Sequence, residues 1–216
     1  MTPESIAAKL RAELMAGVLR PGTQLSQVVL AERFGVSRIP IRDALRILVG
    51  EGLVQMEANR GANAITLSPE EVREIYDLRI LLECDCLRRA AGVMTPAALH
   101  EIDRVRRKSD LDAGGPEWAA GDWAFHRAMY ELSGRRRQIT MIEALRRTCV
   151  LFISAYSTMP TRKSRWLNEH RAIQQHLQRG ETDQAVLALR LHLAAAADHL
   201  LRRMASSPRS GEGKIA

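Results

Sequence analysis

Residues 30–45 read LAERFGVSRIPIRDAL, and this stretch decides the fold of the first part of the chain. Apolar residues at helical spacing end at Gly35, a residue type that readily takes the left-handed conformation in which many helices stop. Ser37 is a typical N-cap, and Pro40 then falls in the first turn of the next helix, where a missing N–H costs little. The stretch therefore predicts a helix, a tight turn and a second helix.

The helix before this turn is predicted to start at Ser26, as its N-cap, and to close at Gly35. Its apolar face would consist of Val29, Leu30 and Phe34. An earlier helix is predicted over 4–17, followed by a turn. The first part of the chain is thus expected to contain three short helices.

The helix after Ser37 has two faces of different character. One face is apolar and is predicted to be buried: Ile41, Ala44, Leu45 and Leu48. Another carries Arg38, Arg42 and Arg46, each four residues apart. An α-helix fits the major groove of DNA, where arginine pairs with guanine or grips phosphate. The alternative is that these arginines form the solvated face of an ordinary amphipathic helix.

A β-hairpin is predicted after this helix, with strands over 53–57 and 62–66 and a turn over 58–61. The turn places Arg60 beside Gly61, and glycine lets a backbone approach a partner closely. A hairpin in this position would form a wing beside the two helices. The complete order of helix, turn, helix and hairpin favours a DNA-binding surface over a merely solvated one.

The composition restricts the class of protein. Hydrophobic residues make up 46% of the 216 residues and aromatic residues only 4%, which predicts a globular and mainly helical chain. The net charge is +7, yet residues 1–67 contain 8 basic and 6 acidic side chains, so bulk charge says little about DNA. No membrane span or signal peptide is recognisable, and the three cysteines, Cys84, Cys86 and Cys149, form no disulfide or zinc pattern, so we expect a cytoplasmic protein without a membrane partner.

The first part of the chain resembles a known family. Residues 19–25 (LRPGTQL), 30–45 and 51–54 (EGLV) are similar to the winged helix-turn-helix head of GntR-family transcription regulators. This resemblance implies DNA-contacting positions at Ser37, Arg38, Arg42, Arg60 and Gly61. Arg46 joins these candidates because it continues the basic face of the same helix.

A second domain is predicted to begin at Ser68, which caps a helix whose first residue is Pro69. Helical patterns then run over 69–92, 95–111, 117–133, 136–159, 162–179 and 182–205. Six such helices predict an antiparallel all-α bundle. The predicted organisation is a winged helix-turn-helix domain over 1–67, a helical domain over 68–205 and a disordered tail over 206–216.

Polar side chains interrupt the apolar stripes of three of these helices. Asp122 and His126 lie four residues apart on one stripe, and His170 and His192 each lie on another. One carboxylate and three imidazoles suit zinc, nickel, iron or manganese, and helical bundles assemble metal sites from facing helices. Ordinary core histidines are the alternative, and His199 competes with His192 for the same role.

Arg79 is a second anomaly, because it falls among the apolar residues Val72, Ile75, Leu82 and Cys86. A buried guanidinium group needs an anion. Glu83, one turn later, could supply it as an intrahelical pair. The alternative partner is the carboxylate of a bound ligand.

The second part of the chain also resembles a known domain. Residues 122–126 (DWAFH), 169–173 (EHRAI) and 180–193 are similar to the FCD effector domain attached to many GntR heads, which identifies the chain as a member of the FadR subfamily. The resemblance implies a divalent metal, zinc first and nickel, manganese or iron as alternatives. Its implied ligands are Asp122, His126, His170 and His192. Residues 76–83 (YDLRILLE) are similar to the family helix whose arginine helps to hold an organic acid, which implies effector binding by Arg79.

Together these resemblances imply a transcription regulator and not an enzyme. A homodimer would bind a palindromic operator in double-stranded DNA, commonly as a repressor, and a small carboxylic acid at the metal site would modulate binding. One alternative is a metal-dependent hydrolase or oxygenase that uses the aspartate and histidines. Another is a constitutive DNA-binding protein without a metal.

Overall fold

The structure, a computed structural model, describes residues 1–57, 61–115, 117–155 and 159–206. These residues divide into two compact units. The first consists of Met1–Ser68 with 147–155 and 203–206, and the second of Pro69–Arg146 with 159–202. Of the tail predicted over 206–216, Ser206 is the last residue of a helix and 207–216 lie outside the described residues.

The first unit contains three helices and a small antiparallel sheet. The helices are α1 (Pro3–Met15), α2 (Gln27–Phe34) and α3 (Arg38–Gly50), and the strands are β1 (Gln24–Leu25), β2 (Val54–Glu57) and β3 (Gly61–Ala64). Strand β3 lies between β1 and β2 and pairs with both. The predicted hairpin is confirmed, and β1 is an additional strand that its two-residue length hid from pattern analysis.

The turn between α2 and α3 is built as its residues predict. The Ser26 hydroxyl accepts a hydrogen bond from the backbone N–H of Val29 and so caps α2. Gly35 ends α2 with a φ of 64°, in the left-handed region that favours glycine. Helix α3 then starts directly after Ser37. This arrangement confirms the helix-turn-helix.

The core of the first unit is apolar and lies between α1 and α3. Fully or almost fully buried side chains come from both helices: Ile6, Leu10, Leu14, Ile41, Ala44, Leu45 and Leu48. The buried face predicted for α3 is therefore confirmed. The face predicted for α2 is partly wrong, because Val29 is 37% exposed while Leu30 and Ala31 are buried. Helix α2 contacts the core through Leu30 and Ala31. Val29 comes one residue earlier, which is a rotation of about 100° around the helix axis, so its side chain points toward solvent.

The second unit consists of the predicted six helices, except for the ends of two of them, 147–155 and 203–206, which belong to the first unit. The six helices are α4 (Pro69–Ala91), α5 (Pro96–Asp112), α6 (Trp118–Tyr130), α7 (Arg136–Ala155), α8 (Met159–Gln178) and α9 (Thr182–Ser206), and a short 3₁₀ turn, Glu131–Ser133, follows α6. The observed ends lie within a few residues of the predicted ones. None of the helices in the described part of the chain is long and apolar enough to cross a membrane.

Helix α4 buries a different stripe from the predicted one. The buried residues recur at alternating steps of four and three: Val72, Tyr76, Arg79, Glu83, Cys86 and Ala90. Ile75 and Leu82, which were predicted to be buried, are only half-buried. The alternating steps follow the helical period of 3.6 residues, which places both Arg79 and Glu83 inside the bundle.

A buried polar network joins α5 to α8. The Nε of Arg106 donates a hydrogen bond to Oε1 of Gln174 at 2.6 Å, and Gln174 Nε2 donates to Oδ1 of Asp103 at 2.7 Å. Arg106 and Gln174 are both buried. Because a buried donor or acceptor without a partner costs about 1–3 kcal/mol, this network fixes how α8 sits on α5. Helix α8 thereby presents His170 to the interior at a defined position.

Candidate DNA-binding surface and metal centre

The basic face of α3 is open to solvent. Arg38 is exposed, and the side chains of Arg42 and Arg46 are 49% and 68% exposed. The acid beside these arginines, Asp43, lies 3.6 Å from Arg42 and 3.7 Å from Arg46, and is itself 39% exposed. Exposed pairs of this kind contribute only about 0–1 kcal/mol, so a phosphate or a guanine can replace Asp43.

Two other arginines of the first unit are already committed to structural pairs. Arg11 donates two hydrogen bonds to Glu51, which ties α1 to the end of α3. Arg33 of α2 binds both carboxylate oxygens of Glu13 in the same manner. These pairs hold the three helices together. Arg11 and Arg33 therefore serve the structure of this unit, whereas the arginines of α3 are exposed.

The remaining candidates for DNA binding lie at the ends of elements. Ser37 is exposed at the N-cap of α3, and its side chain makes no capping hydrogen bond within the described structure. Gly61 begins β3 with a φ of 85°, and no atom lies within 4 Å of the position that a Cβ would occupy. A partner could therefore approach the backbone closely at this point. Arg60 lies outside the described residues.

Three histidines converge inside the second unit. His126 of α6, His170 of α8 and His192 of α9 place one ring nitrogen each within 4.8 Å of the others. All three residues are buried. The structure therefore brings together the three predicted imidazoles, whereas His199 is half-buried and stands outside this group.

Asp122 lies beside the histidine cluster. Its Oδ1 is 3.5 Å from His170 Nε2 and 3.9 Å from His126 Nε2, and it accepts a hydrogen bond from Nε1 of Trp166 at 3.0 Å. Its Oδ2 accepts from the guanidinium group of Arg146. Burial by itself would raise the pKa of Asp122, but Arg146 together with the three nearby histidines outweighs burial and holds the pKa well below its usual value. Asp122 is therefore an ionised carboxylate.

A chain of hydrogen bonds fixes the proton on His126. The hydroxyl of Tyr130 donates to Oε2 of Glu83 at 2.7 Å, so its oxygen accepts from Nδ1–H of His126 at 3.0 Å. The lone pair of His126 is thus on Nε2, which is buried and has no hydrogen-bond partner in the described structure. Burial, followed by the charge of Arg146, lowers the pKa of His126 to about 4, so the ring is neutral.

A second carboxylate orients His192. Oε2 of Glu169 lies 2.8 Å from Nδ1 of His192, and Glu169 also accepts hydrogen bonds from Arg162 and Arg165, each at 2.8 Å. Burial would raise the pKa of Glu169, but the His192 hydrogen bond and the nearby charges lower it to about 2. An ionised Glu169 accepts a hydrogen bond from Nδ1–H of His192, which leaves Nε2 of His192 as the atom that could bind a metal.

The residues fit a divalent metal ion. Neither ring nitrogen of His170 has a hydrogen-bond partner among the described residues, and burial lowers its pKa well below the ordinary value. Buried unpartnered nitrogens cost about 1–3 kcal/mol each. Neutral imidazoles beside an ionised carboxylate are the donors that zinc, nickel, manganese and iron accept. The cluster has the chemistry of a metal site.

Arg79 forms the intrahelical pair that its spacing allowed. Its Nε donates a hydrogen bond to Oε1 of Glu83 at 2.7 Å, and its guanidinium lies 4.8 Å from the centre of the Tyr76 ring. Both members of the pair are buried. Arg79 therefore has a structural partner inside the protein, and effector binding would be an additional role. Glu83 also connects Arg79 to His126 through Tyr130.

Pattern analysis missed Arg146, the guanidinium that contacts Asp122. The signal was present, because Arg146 continues a buried stripe on α7 that includes Ile139 and Ile142. It is the same kind of anomaly as Arg79, a single charge among apolar residues at helical spacing. Trp166, Tyr130 and Glu169 were also missed as partners of the predicted ligands, since nothing local in the sequence indicates whom they contact.

An open groove leads to the edge of the cluster. It lies between α8 and α9, has a volume of about 610 Å³ and is lined by Asn168, Glu169, Ala172, Ala188, Leu191 and His192, with Arg165 at its side. His192 thus belongs both to the groove and to the histidine cluster.

Comparison with known families now adds to this geometry. Residues 2–63 match the gntR family of bacterial regulatory proteins, and residues 74–195 match the FCD domain. The chain is a GntR-family regulator with an FCD domain. The predicted fold class and family are confirmed, and the family shows that this GntR regulator binds DNA and is not an enzyme.

Relatives of this GntR regulator cover most of its length. An uncharacterized HTH-type transcriptional regulator in an unstable DNA locus of Streptomyces ambofaciens is 30% identical over 94% of this chain and 86% of its own. The HTH-type transcriptional repressor RspR of Escherichia coli is 28% identical over 85% and 82%. In structure, E. coli McbR/YncC has a TM-score of 0.76 at 21% identity, covering 94% of this chain and 98% of its own.

Proposed function

We propose that this GntR regulator is a metal-dependent sensor of a small carboxylic acid. The domain over 1–67 would bind a palindromic operator through α3 and the wing, and the domain over 68–205 would hold the metal, the acid and the homodimer contact. Binding of the acid would lower operator affinity and relieve repression. An operator-binding protein works where the DNA is, so the proposed location is the cytoplasm.

One observation carries this proposal: imidazoles from three helices converge beside an ionised aspartate, and ring nitrogens of His126 and His170 lack hydrogen-bond partners in the described structure. The proposed ligands are Asp122, His126, His170 and His192, with zinc as the first candidate and nickel, manganese or iron as alternatives. When bound, the metal supplies an electrophilic centre for a carboxylate oxygen. Four protein ligands leave positions open on a six-coordinate ion, which a ligand oxygen can fill.

The exposed face of α3 supports the DNA-binding part. Arg38 and Arg42 lie in the first half of the helix, the part that meets base edges when a recognition helix enters the major groove. Arg46 lies one turn further along and suits a phosphate contact. A homodimer presents two such helices related by a two-fold axis, and this symmetry is the reason for expecting a palindromic operator.

The test compares two histidines of α8. In His170→Ala the cluster loses one imidazole, whereas His176→Ala removes a partly exposed histidine that contacts Glu181 on the surface. We expect His170→Ala to lose bound metal and the response to acids while it still binds an operator selected from random duplexes. His176→Ala should match the wild type in metal content, thermal shift with acids and operator affinity.

Three results would separate the alternatives. Full retention of metal and acid response by His170→Ala would remove the cluster from the effector site. Operator binding by a wild type that never takes up metal would identify a constitutive DNA-binding protein. Loss of operator binding in His170→Ala alone, with normal folding, would show that the histidines serve the DNA-binding domain instead.

A further inference from the structure

The charges around the histidine cluster balance one another without a metal. Three carboxylates and three guanidinium groups form ion pairs there: Glu83 with Arg79, Asp122 with Arg146 and Glu169 with Arg162. Residues 150–161 include no charged residue and therefore add nothing to this charge count. Arg165 also contacts Glu169, but it is 68% exposed and screened by water. Among the described residues, these three pairs therefore carry no net charge, and only Glu169, with 18% of its side chain exposed, reaches solvent.

A divalent metal ion disturbs this balance. Imidazoles must be neutral to bind a metal, so the three histidines offer no compensating charge. Asp122 is already ionised and already paired with Arg146, so its negative charge has been counted. The metal thus leaves two positive charges without a partner in a buried site. Uncompensated buried charge is costly, and a ligand with two negative charges removes it.

Arg146 lies where it can bind the second negative group. Its guanidinium contacts Oδ2 of Asp122, the carboxylate whose Oδ1 is 3.5 Å from His170 Nε2. Another of its nitrogens is 3.6 Å from Oε2 of Glu83. Its Nε is buried and has no hydrogen-bond partner in the described structure. A metal on Asp122 competes with Arg146 for this carboxylate, which turns the guanidinium toward any other anion nearby.

Arg79 is held more firmly than Arg146. Its Nε is engaged by Glu83 four residues later on the same helix, and its guanidinium lies over the ring of Tyr76. Glu83 in turn accepts from Tyr130, which holds His126. Moving Arg79 onto a ligand would therefore disturb the hydrogen bonds that orient a metal ligand. Moving Arg146 breaks its contact with Asp122, the carboxylate that the metal itself takes over, and its longer contact of 3.6 Å with Glu83, which keeps Arg79 as a partner.

We propose that the effector is a dicarboxylate, one carboxylate of which binds the metal while the other binds Arg146. This inference rests on the proposed metal-dependent acid sensor and names its ligand class and its anchoring residue. The rings of Phe125 and Trp166 lie against His170, so a short aliphatic linker beside the cluster would meet apolar surface.

The experiment uses zinc-loaded full-length protein and acids matched in carbon number. Malonate, succinate and glutarate are compared with propionate, butyrate and valerate by titration calorimetry. We expect the best dicarboxylate to bind at least about tenfold more tightly than its monocarboxylate counterpart. Arg146→Gln should keep zinc and lose this preference. Arg146→Lys should keep zinc and part of the preference, because it keeps the charge and loses the two-pronged geometry.

Arg127→Gln is the matched control, since Arg127 is an exposed arginine of α6 that pairs with Glu131. It should behave as the wild type. Equal binding of mono- and dicarboxylates by wild type, or an unchanged preference in both Arg146 variants, would overturn the inference while the acid sensor stands. A wild type that binds zinc but no acid, or binds no zinc, would overturn the sensor and the inference together.

Discussion

Arginine has opposite surroundings in the two units of this GntR regulator. On α3, the side chains of Arg42 and Arg46 are 49% and 68% exposed and lie 3.6 and 3.7 Å from Asp43. In the bundle, Arg79 and Arg146 are only 5% and 6% exposed and bind carboxylates directly. Electrostatic attraction strengthens as water is removed, so the buried arginines are committed and the exposed ones are available to a partner. The position of an arginine in the fold, and not the number of arginines, distinguishes side chains that are available to a partner from side chains that hold the structure together.

The largest effect is expected when a buried arginine loses its carboxylate. In metal-free protein, Asp122→Ala leaves Arg146 buried without its ion-pair partner, and the free energy of unfolding should fall by about 3–5 kcal/mol. Asp43→Ala removes the acid beside the exposed arginines and should change stability by less than about 1 kcal/mol. Urea unfolding measures both. Equal stability of the two variants would contradict the contrast between the regions.

The buried region should also be the pH-sensitive one. In the unfolded chain His126 takes up a proton near pH 6.5, whereas in the folded protein its pKa is about 4. Between these values the unfolded state binds more protons, so stability falls as the pH drops from 6.5 toward 4. For His126 this loss is about 3 kcal/mol, and the lowered pKa of His170 acts in the same direction.

Urea unfolding of chelator-treated protein between pH 7.5 and 4.5 measures this loss of stability, a range chosen to cover most of the interval between the ordinary and the lowered pKa of His126. His126→Asn should flatten the curve. A stability that stays constant across the range would show that the buried rings titrate normally.

The exposed region is tested through the operator. Arg42→Ala should weaken operator binding by about 1–3 kcal/mol per subunit and relax specificity at one position of each half-site, because an arginine that pairs with a base is lost. Arg104→Ala removes an equally exposed arginine from α5 and should leave operator affinity unchanged. Fluorescence anisotropy at several salt concentrations compares the two. Unchanged binding by Arg42→Ala would place α3 outside the major groove.

The smallest effect concerns the carboxylate that orients His192. Glu169→Gln keeps the size of the side chain but removes its charge, and zinc affinity should fall by about 10- to 100-fold. Glu131→Gln, an exposed change on the 3₁₀ turn after α6, is the control. Competition with a chromogenic chelator measures both affinities. If the two variants bind zinc equally well, Glu169 does not orient the ligand.

Much of the fold was predictable because its signals are local. Gly35, Ser37 and Pro40 lie close together between α2 and the first turn of α3, and each acts through its own backbone preferences. The six helices of the bundle were found because their apolar period and the glycines and prolines between them are also local. Failures occurred where packing chose between adjacent positions, as at Val29 on α2 and Ile75 on α4.

The candidate ligands were predictable as polar residues inside apolar stripes, whereas their partners were not. Arg146 stands out on α7 by the same rule that singled out Arg79, but the rule does not reveal which carboxylate it binds. Arg79 binds Glu83 on its own helix, whereas Arg146 binds Asp122 on another. Only the first pairing could be read from spacing.

The sequence by itself determined the helix-turn-helix, the six helices and the residue types of a metal site, because helical period and capping depend on neighbours within a few residues. The tertiary structure decided which nitrogen of His126 and of His192 faces the cluster. It did so by placing Tyr130 beside Glu83, 47 residues away, and Glu169 beside His192, 23 residues away. These contacts join different helices, and the packing of the bundle, which no local pattern encodes, brings them together.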